Sequence, residues 1–321
     1  MRRALPISLL VASLALAACT SGGAISSATS STGPSVAPSV APSVAASVAA
    51  SVTPSATPSP CGPTKFTLHT SGKLTIGTDN PAYPPYYDIP AAATKPWELG
   101  DPTDGKGFES AFAYALAAKL GFAPADVTWV VVPFDNSFAP GTKPFDLDIN
   151  QVSYSKERAA VVDMSDGYYT LNQSVVALKA NGLAAVTSIA GMKAFKFGAQ
   201  IGTTSLDAIN KVIAPTTPAK VYTTNDEAIA GLKAKQIDGL VVDLPTAFYV
   251  TAAQVDNSAI VGQFPAPTGA TAEHFSVVLP LGSSITNCVN SSIAAMKADG
   301  SLDAITKEWL SDKASAPVLA P

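Results

Sequence analysis

From residue 61 onward, apolar residues recur with two different periods, and the change from one to the other sketches a fold. Lys73–Thr78 and Val127–Val132 are short apolar and β-branched runs that predict strands. Between them Phe112, Leu116 and Leu120 fall at i, i+4 and i+8, which predicts a helix over Glu109–Leu120 ended by Gly121. Phe195–Ile201 predicts a strand that turns at Gly202 into a helix beginning near Thr204 or Ser205. Asp226–Lys235 has a helical pattern with Ile229 and Leu232 on one face, and Gly239–Val242 is a buried strand. Two helices close the pattern. Asn290–Asp299 turns Val289, Ile293 and Met296 inward; Leu302–Leu310 turns Leu302, Ile305 and Trp309 inward. Strands alternating with helices in this order predict an α/β fold with mostly parallel sheets.

The first 60 residues follow neither period. Arg2 and Arg3 precede an apolar run, Ala4–Ala18, that is too short to span a bilayer and has the form of a signal peptide over residues 1–18. It closes on Leu16-Ala17-Ala18-Cys19, which resembles the lipobox of bacterial lipoproteins, where the Cys becomes the lipidated N-terminus. An ordinary signal peptide with an incidental Cys is the alternative. Residues 19–60 are then expected as a lipidated tether. Thr20–Pro60 carries no charge, and from Pro34 it repeats Pro-Ser-Val-Ala. Proline at every fourth position opposes helix and sheet alike, so this tract builds no core. Fully extended at about 3.1 Å per residue it reaches roughly 100 Å; as a flexible coil its mean reach is nearer 40 Å.

About 250 residues remain from Cys61 to Asp312, enough for two lobes with cores of their own. The formal net charge is −4; removal of Arg2 and Arg3 with the signal peptide takes it to −6. An acidic chain without a basic cluster argues against a nucleic-acid partner. If Cys19 carries lipid, Cys61 and Cys288 remain as a pair in an oxidising compartment, and a disulfide between them is expected. It would contribute on the order of 5 kcal/mol by the chain-entropy argument. Two free buried thiols, or a metal site, are the alternatives. With only His69 and His274 and no Cys-x-x-Cys, neither a metal nor a cofactor is expected.

The most informative stretch for chemistry is Gln151–Tyr169, Gln-Val-Ser-Tyr-Ser-Lys-Glu-Arg-Ala-Ala-Val-Val-Asp-Met-Ser-Asp-Gly-Tyr-Tyr. Ser155 fits the N-cap of a short helix and places Arg158 at its third position. A guanidinium beside free helix-start amides makes an anion site whose fork suits a carboxylate. Taken alone, the stretch reads more readily as a surface Arg at a loop–helix junction.

Five further segments decide between these readings. Ile76-Gly77-Thr78-Asp79-Asn80-Pro81-Ala82-Tyr83-Pro84-Pro85-Tyr86, Gly105–Glu109, Gly198–Ser205, Ile237–Pro245 and Lys297–Trp309 stand with Gln151–Tyr169 in an order and spacing that resemble the bacterial extracellular solute-binding proteins of the polar amino acid class, family 3. Glu109 stands where that family usually has Asp. The resemblance covers nearly all of Lys73–Asp312. It implies a two-lobed, periplasmic-binding-protein-like type II fold, each lobe a mostly parallel sheet flanked by helices, joined by a two-strand hinge. Lobe one would comprise residues 61–172 and 267–312, lobe two 173–266, with 313–321 a tail. The hinge strands would lie near Gln173–Ala177 and Gly262–Pro267.

The resemblance also implies a site. Arg158 and Ser153 of lobe one would hold an amino acid's carboxylate, with Thr203, Thr204 and Ser205 closing on it from lobe two, and the backbone near Gln151 and the Asp243 carboxylate would take the ammonium. Asp79 would meet the side chain and Tyr83 would stack on it. Asn136 falls where many members carry an aromatic wall, and Gln200 occupies a variable position. Each has a plainer reading as a helix cap, a loop residue or core. Asp79 with Asn136 points to a polar ligand. The function implied is capture, without catalysis, by a monomer lipid-anchored outside the cell membrane that delivers an amino acid to the permease of an ABC importer. The alternatives are a cleft enzyme of the same fold, a dehydratase or cell-wall lyase, and an extracellular sensor acting with a separate receptor.

Overall fold

The computed structural model describes residues 61–92, 94–266, 271–310 and 316–321. The expected signal peptide, Cys19, the tether and Pro267 at the end of one expected hinge strand lie outside them. The chain runs β1 (Leu74–Thr78), α1 (Phe108–Lys119), β2 (Val127–Val131), α2 (Phe134–Ser137), β3 (Leu147–Asp148), α3 (Lys156–Ala159), β4 (Asp163–Met164), β5 (Tyr169–Thr170) and β6 (Gln173–Leu178). It continues through β7 (Phe197–Gln200), α4 (Thr204–Ala208), β8 (Lys220–Tyr222), α5 (Asn225–Lys233), β9 (Gly239–Asp243), α6 (Leu244–Tyr249) and β10 (Ser258–Gln263). It ends with β11 (His274–Phe275), β12 (Val278–Leu279), α7 (Thr286–Ala298) and α8 (Ser301–Trp309).

These elements form two five-stranded sheets, ordered β2-β1-β3-β12-β4 and β10-β6-β9-β7-β8. Neither is mostly parallel. In the first, β1 runs parallel to β2 and β3, while β12 runs antiparallel to β3 and β4. In the second, β7 runs parallel to β8 and β9, while β6 runs antiparallel to β9 and β10. The expectation of mostly parallel sheets is corrected accordingly. The β-α-β pattern in the sequence reports only the parallel halves; β12 and β6, the strands that bring the chain into each lobe from the other, run the other way.

The long helices form where the apolar stripes predict them. Phe112, Leu116 and Leu120 on α1 are buried against Val289, Ile293 and Met296 of α7 and Leu302 of α8. Gly121 follows at φ +90°, the left-handed conformation that ends a helix without cost to Gly. Each such side chain contributes roughly 1.5–3 kcal/mol of burial. In the second sheet, Val175 and Val241 enter one core while Val176, Leu240 and Val242 enter another. Both faces are covered, which explains continuous apolar strands without polar alternation.

Cys61 and Cys288 form a disulfide with a Cα–Cα distance of 5.6 Å. It fastens the segment before β1 to the first turn of α7, as expected.

The chain passes between the lobes twice, and the two passages pair as the antiparallel ladder β5–β11, Tyr169↔Phe275 and Thr170↔His274. The hydrogen bond Leu171 N–H to Glu273 O, 3.0 Å, extends the pairing. Of the expected hinge strands, Gln173–Ala177 and the described part of Gly262–Pro267 follow on from this ladder and belong mainly to β6 and β10 of the second sheet, with Phe264 N–H donating to Gln173 O at 2.8 Å. Continuous apolar runs do not reveal where a strand leaves one sheet for another. The last residues, expected as a tail, also dock on the second lobe. Val318 pairs with Gln263 and Ala320 with Ser188, and Leu319 is buried in a core of that lobe.

Candidate functional site

Between the sheets lies a cavity of about 150 Å³ lined from both lobes. Its first-lobe wall comes from the ends of β1 and β3 and from the turn before α3; its second-lobe wall comes from the ends of β7 and β9 and the start of α5. Binding crevices of open α/β sheets characteristically occupy such carboxyl ends. Asp79, Tyr83, Gln151, Ser153, Arg158, Gln200, Thr203, Thr204, Ser205 and Asp243 all line the cavity. Asn136 does not. It is exposed on α2, and its carbonyl accepts from Lys143 Nζ at 2.9 Å. The wall it was expected to mark is Phe134, one half-turn earlier. A four-residue helix turns neighbouring side chains in widely different directions, so the spacing alone could not select between them.

Among the described residues, Arg158 is the only cation that lines the cavity. Ser155 caps α3 by accepting from Arg158 N–H at 3.2 Å, which sets the backbone as the sequence predicted. Arg158 is 7 % exposed, and its Cζ lies 4.3 Å from the centroid of Phe138 and 5.6 Å from that of Phe134. Nη1 donates to Ser153 O, and Nη2 donates across the lobes to Gly202 O at 2.7 Å. Among the described residues its guanidinium takes part in none of the ion pairs. Burial lowers its pKa to about 10, opposed by the charges of Glu273, Asp207 and Glu157. A cation buried without a paired anion is costly, and an anion brought to its free N–H groups relieves that cost.

The hydroxyls around it are already ordered. Thr203 is the N-cap of α4, accepting from Leu206 N–H at 3.1 Å and donating to Gln200 O at 2.7 Å. Ser205 donates to Gln173 Oε1 at 2.7 Å, and Gln173 Nε2 donates to Thr204 Oγ1 and to Glu273 Oε1. Ser153 Oγ donates to the same Glu273 Oε1 at 2.7 Å. Glu273, which precedes β11, thus joins the first-lobe hydroxyl to the second-lobe turn through Gln173. This role is not visible in the sequence, because Glu273 lies outside every recognised motif.

The other charged groups among the described wall residues, Asp79, Asp226 and Asp243, are acidic. Asp243 ends β9 and caps α6, accepting from Thr246 N–H at 2.8 Å and Thr246 Oγ1 at 2.7 Å. Tyr86 OH donates to it from the first lobe at 2.5 Å. Burial raises its pKa, and these three donors oppose the rise. Tyr83 OH donates across the cleft to Asp226, a wall residue on α5 that the motifs did not single out. The Tyr83 ring faces Tyr249, with centroids 6.4 Å apart. Asp79 sits near this end. Burial raises its pKa, and the negative charges of Asp135 and Asp226 add to the rise.

A cavity closed by two α/β lobes and lined by ordered polar groups defines a solute receptor. The chain belongs to the bacterial extracellular solute-binding proteins, family 3, whose sequence profile matches residues 91–312. The L-cystine-binding protein TcyJ of Escherichia coli (strain K12) is 26 % identical over 242 residues, 74 % of this chain and 82 % of that protein. The arginine-binding extracellular protein ArtP of Bacillus subtilis (strain 168) is 25 % identical over 224 residues, 68 % of this chain and 83 % of that one. Among solved structures, an ancestral arginine-binding protein bound to glutamine matches with TM-score 0.60 and 28 % identity, covering 75 % of this chain and 99 % of that one. The ancestral amino acid-binding protein AncCDT-1, a precursor of cyclohexadienyl dehydratase, matches with TM-score 0.59 and 27 % identity over 74 % of this chain and 95 % of that one.

Proposed function

We propose that this protein is the substrate-binding component of an amino acid ABC importer, and that its cleft captures an amino acid with a polar, preferably cationic, side chain. The observation that carries the reading is the buried, unpaired Arg158 facing an otherwise acidic wall. Arg158 takes the carboxylate, together with the turn Thr203–Ser205. Asp243 takes the ammonium. Asp79 and Asp226 then remain as two carboxylates for the side chain, which favours a cation there. Gln151, Ser153, Gln200, Tyr83 and Phe134 complete the wall.

The ligand contacts both lobes only when they are together, so its binding energy favours the closed form. The closed form docks on a permease. Cys19 carries the lipid, the tether of residues 19–60 holds the monomeric receptor outside the membrane, and residues 61–172 and 267–312 form the lobe around the inserted 173–266. Capture rather than turnover is supported by the wall itself: its carboxylates and hydroxyls serve as helix caps and cross-cleft partners, and neither histidine lines it.

A thermal-shift screen of the twenty amino acids, ornithine, cystine and small amines tests the proposal, followed by calorimetry on the best ligand. A ligand that binds only the folded state raises the melting point by mass action. Arginine, lysine or ornithine should give the largest shift. No shift with any amino acid would overturn the assignment.

A further inference from the structure

Behind Gln151 lies a buried acid that the binding scheme does not use. Glu109, in the first turn of α1, is 0 % exposed. Gln151 N–H donates to its Oε1 at 2.9 Å, Gln151 Nε2 donates to its Oε2, and Tyr168 OH donates to Oε1 at 2.5 Å. Tyr87 faces it from the loop after β1, and Tyr86 feels its charge from the same loop. Asp148 on β3, also 0 % exposed, feels that charge as well, and Lys143 is the cation acting on Asp148. Neither Asp148 oxygen has a hydrogen-bond partner among the described residues. Gln151 itself stands at φ +49°, a left-handed conformation that a side-chain-bearing residue seldom takes, and it lines the cavity.

We propose that Glu109 is a positioning residue for the ligand site: its ionised carboxylate fixes the Gln151 amide, and uptake of a proton by Glu109 resets that amide and weakens ligand binding. The inference rests on the amino acid reading above.

An ionised carboxylate only accepts hydrogen bonds, and three donors converge on this one. With Nε2 bonded to Glu109, the Gln151 amide turns Oε1 away from it, as an acceptor. A protonated Glu109 must donate, and the three groups that now bond it, Gln151 N–H, Gln151 Nε2 and Tyr168 OH, are all donating. Rotation of the Gln151 amide relieves the conflict. Oε1 then accepts the new proton, and the NH₂ group takes the place of the acceptor. An acceptor suits a ligand's ammonium or cationic side chain; a donor repels it. Burial pushes Glu109 up to about 7, which places the change near neutral pH. Burial also pushes Asp148 well above the carboxylate range.

The test has two arms. In the first, ligand-free protein carrying ¹³C-labelled glutamate and ¹⁵N-labelled glutamine is titrated by NMR. The Glu109 carboxyl and the Gln151 side-chain amide should shift with one shared midpoint between about pH 6 and 8. In the second, the Kd of the best amino acid is measured from pH 5.5 to 8.5 for wild type and E109Q. The wild-type Kd should rise on acidification by up to about 10-fold per pH unit, the limit for one linked proton. E109Q should lose that step.

A Gln151 amide that ignores the Glu109 titration overturns the proposal, as does a wild-type Kd without the step or an E109Q profile that keeps it. If E109Q does not fold, the wild-type titrations decide. Coupled NMR titrations with no amino acid bound would instead sink the functional reading and leave the Glu109–Gln151 coupling standing.

Discussion

Tyr86 and Asp243 meet across the cleft, the phenol of the first lobe donating to the carboxylate of the second at 2.5 Å. Asp243 has two further donors in Thr246, so removal of the phenol leaves it capped but no longer bridged. The lost bond is charge-assisted and joins the two lobes. Such bonds are worth roughly 1.5–3 kcal/mol. Tyr86→Phe should therefore raise the Kd of the best ligand about 10-fold with little change in melting point. Calorimetry paired with thermal denaturation checks this; an unchanged Kd would remove the bond from the closing mechanism.

Arg158→Ala should cost far more. It leaves the ligand carboxylate buried with no cation, a loss of about 2–5 kcal/mol for half of a desolvated charge pair. Arg158→Lys should recover only part of it, because an ammonium cannot reproduce the fork or its stacking on Phe138. Equal affinities for wild type and the Ala variant in calorimetry would exclude Arg158 as the anchor.

Asp226 should set selectivity rather than bare affinity. Asp226→Asn keeps an oxygen for Tyr83 OH but removes one charge from the end of the cavity shared with Asp79. The preference for arginine over glutamine should fall by about 10-fold, equivalent to about 1.4 kcal/mol. Competition binding of the two amino acids reads the ratio directly, and an unchanged ratio would place the side-chain site elsewhere.

These three residues show what a sequence conveys and what it withholds. The setting of Arg158 was legible because a serine cap and an arginine three residues later form a local device, but its place in the cavity wall was indicated only by the resemblance of six separate segments. The helices α1, α5, α7 and α8 were legible for a similar reason: a stripe of apolar residues at helical spacing is local information. Tyr86 and Asp226 acquire their partners only when two lobes, separated by long stretches of chain, come together. The same is true of Glu273, which reaches Ser153 across 120 residues of sequence. Phe134 was missed, and Asn136 two positions on was singled out instead, because side-chain direction there depends on how a four-residue helix sits on β1, not on spacing. Strand direction failed likewise: β6 and β10 are apolar in either orientation, and only the route of the chain through the hinge decides which they take.

The Cys61–Cys288 bond closes a sequence separation of 227 residues, the kind of long loop whose closure removes most entropy from the unfolded chain. Loss of a native disulfide typically costs about 2–5 kcal/mol. The double variant C61S/C288S should melt lower by roughly 5–15 °C, at about 2–4 °C per kcal/mol for a domain of this size. Neither cysteine lines the cavity, so the Kd at 20 °C should hold within about two-fold. A large change in Kd with an unchanged melting point would show that the bond acts on the cleft instead.

Glu109 makes a separate prediction about stability. Its pKa is raised from 4.5 to about 7 in the folded protein because burial disfavours the charge more than its donors favour it. Between those two values the folded state binds more protons than the unfolded state, so the free energy of unfolding falls as pH rises. The contribution is complete below about pH 4.5 and lost above about pH 7, and each pH unit is worth about 1.4 kcal/mol. The total is about 3 kcal/mol. Urea denaturation of wild type and E109Q at intervals from pH 4.5 to 8.5 isolates it, since the other titrating groups are common to both. The wild-type advantage over E109Q should shrink by about 3 kcal/mol across the window, and parallel curves would refute it. With the proposed role of the ionised form, the sign has a functional consequence: the charge state that orders Gln151 for the ligand is the one that costs the fold, so bound ligand should recover more stability at pH 8 than at pH 5.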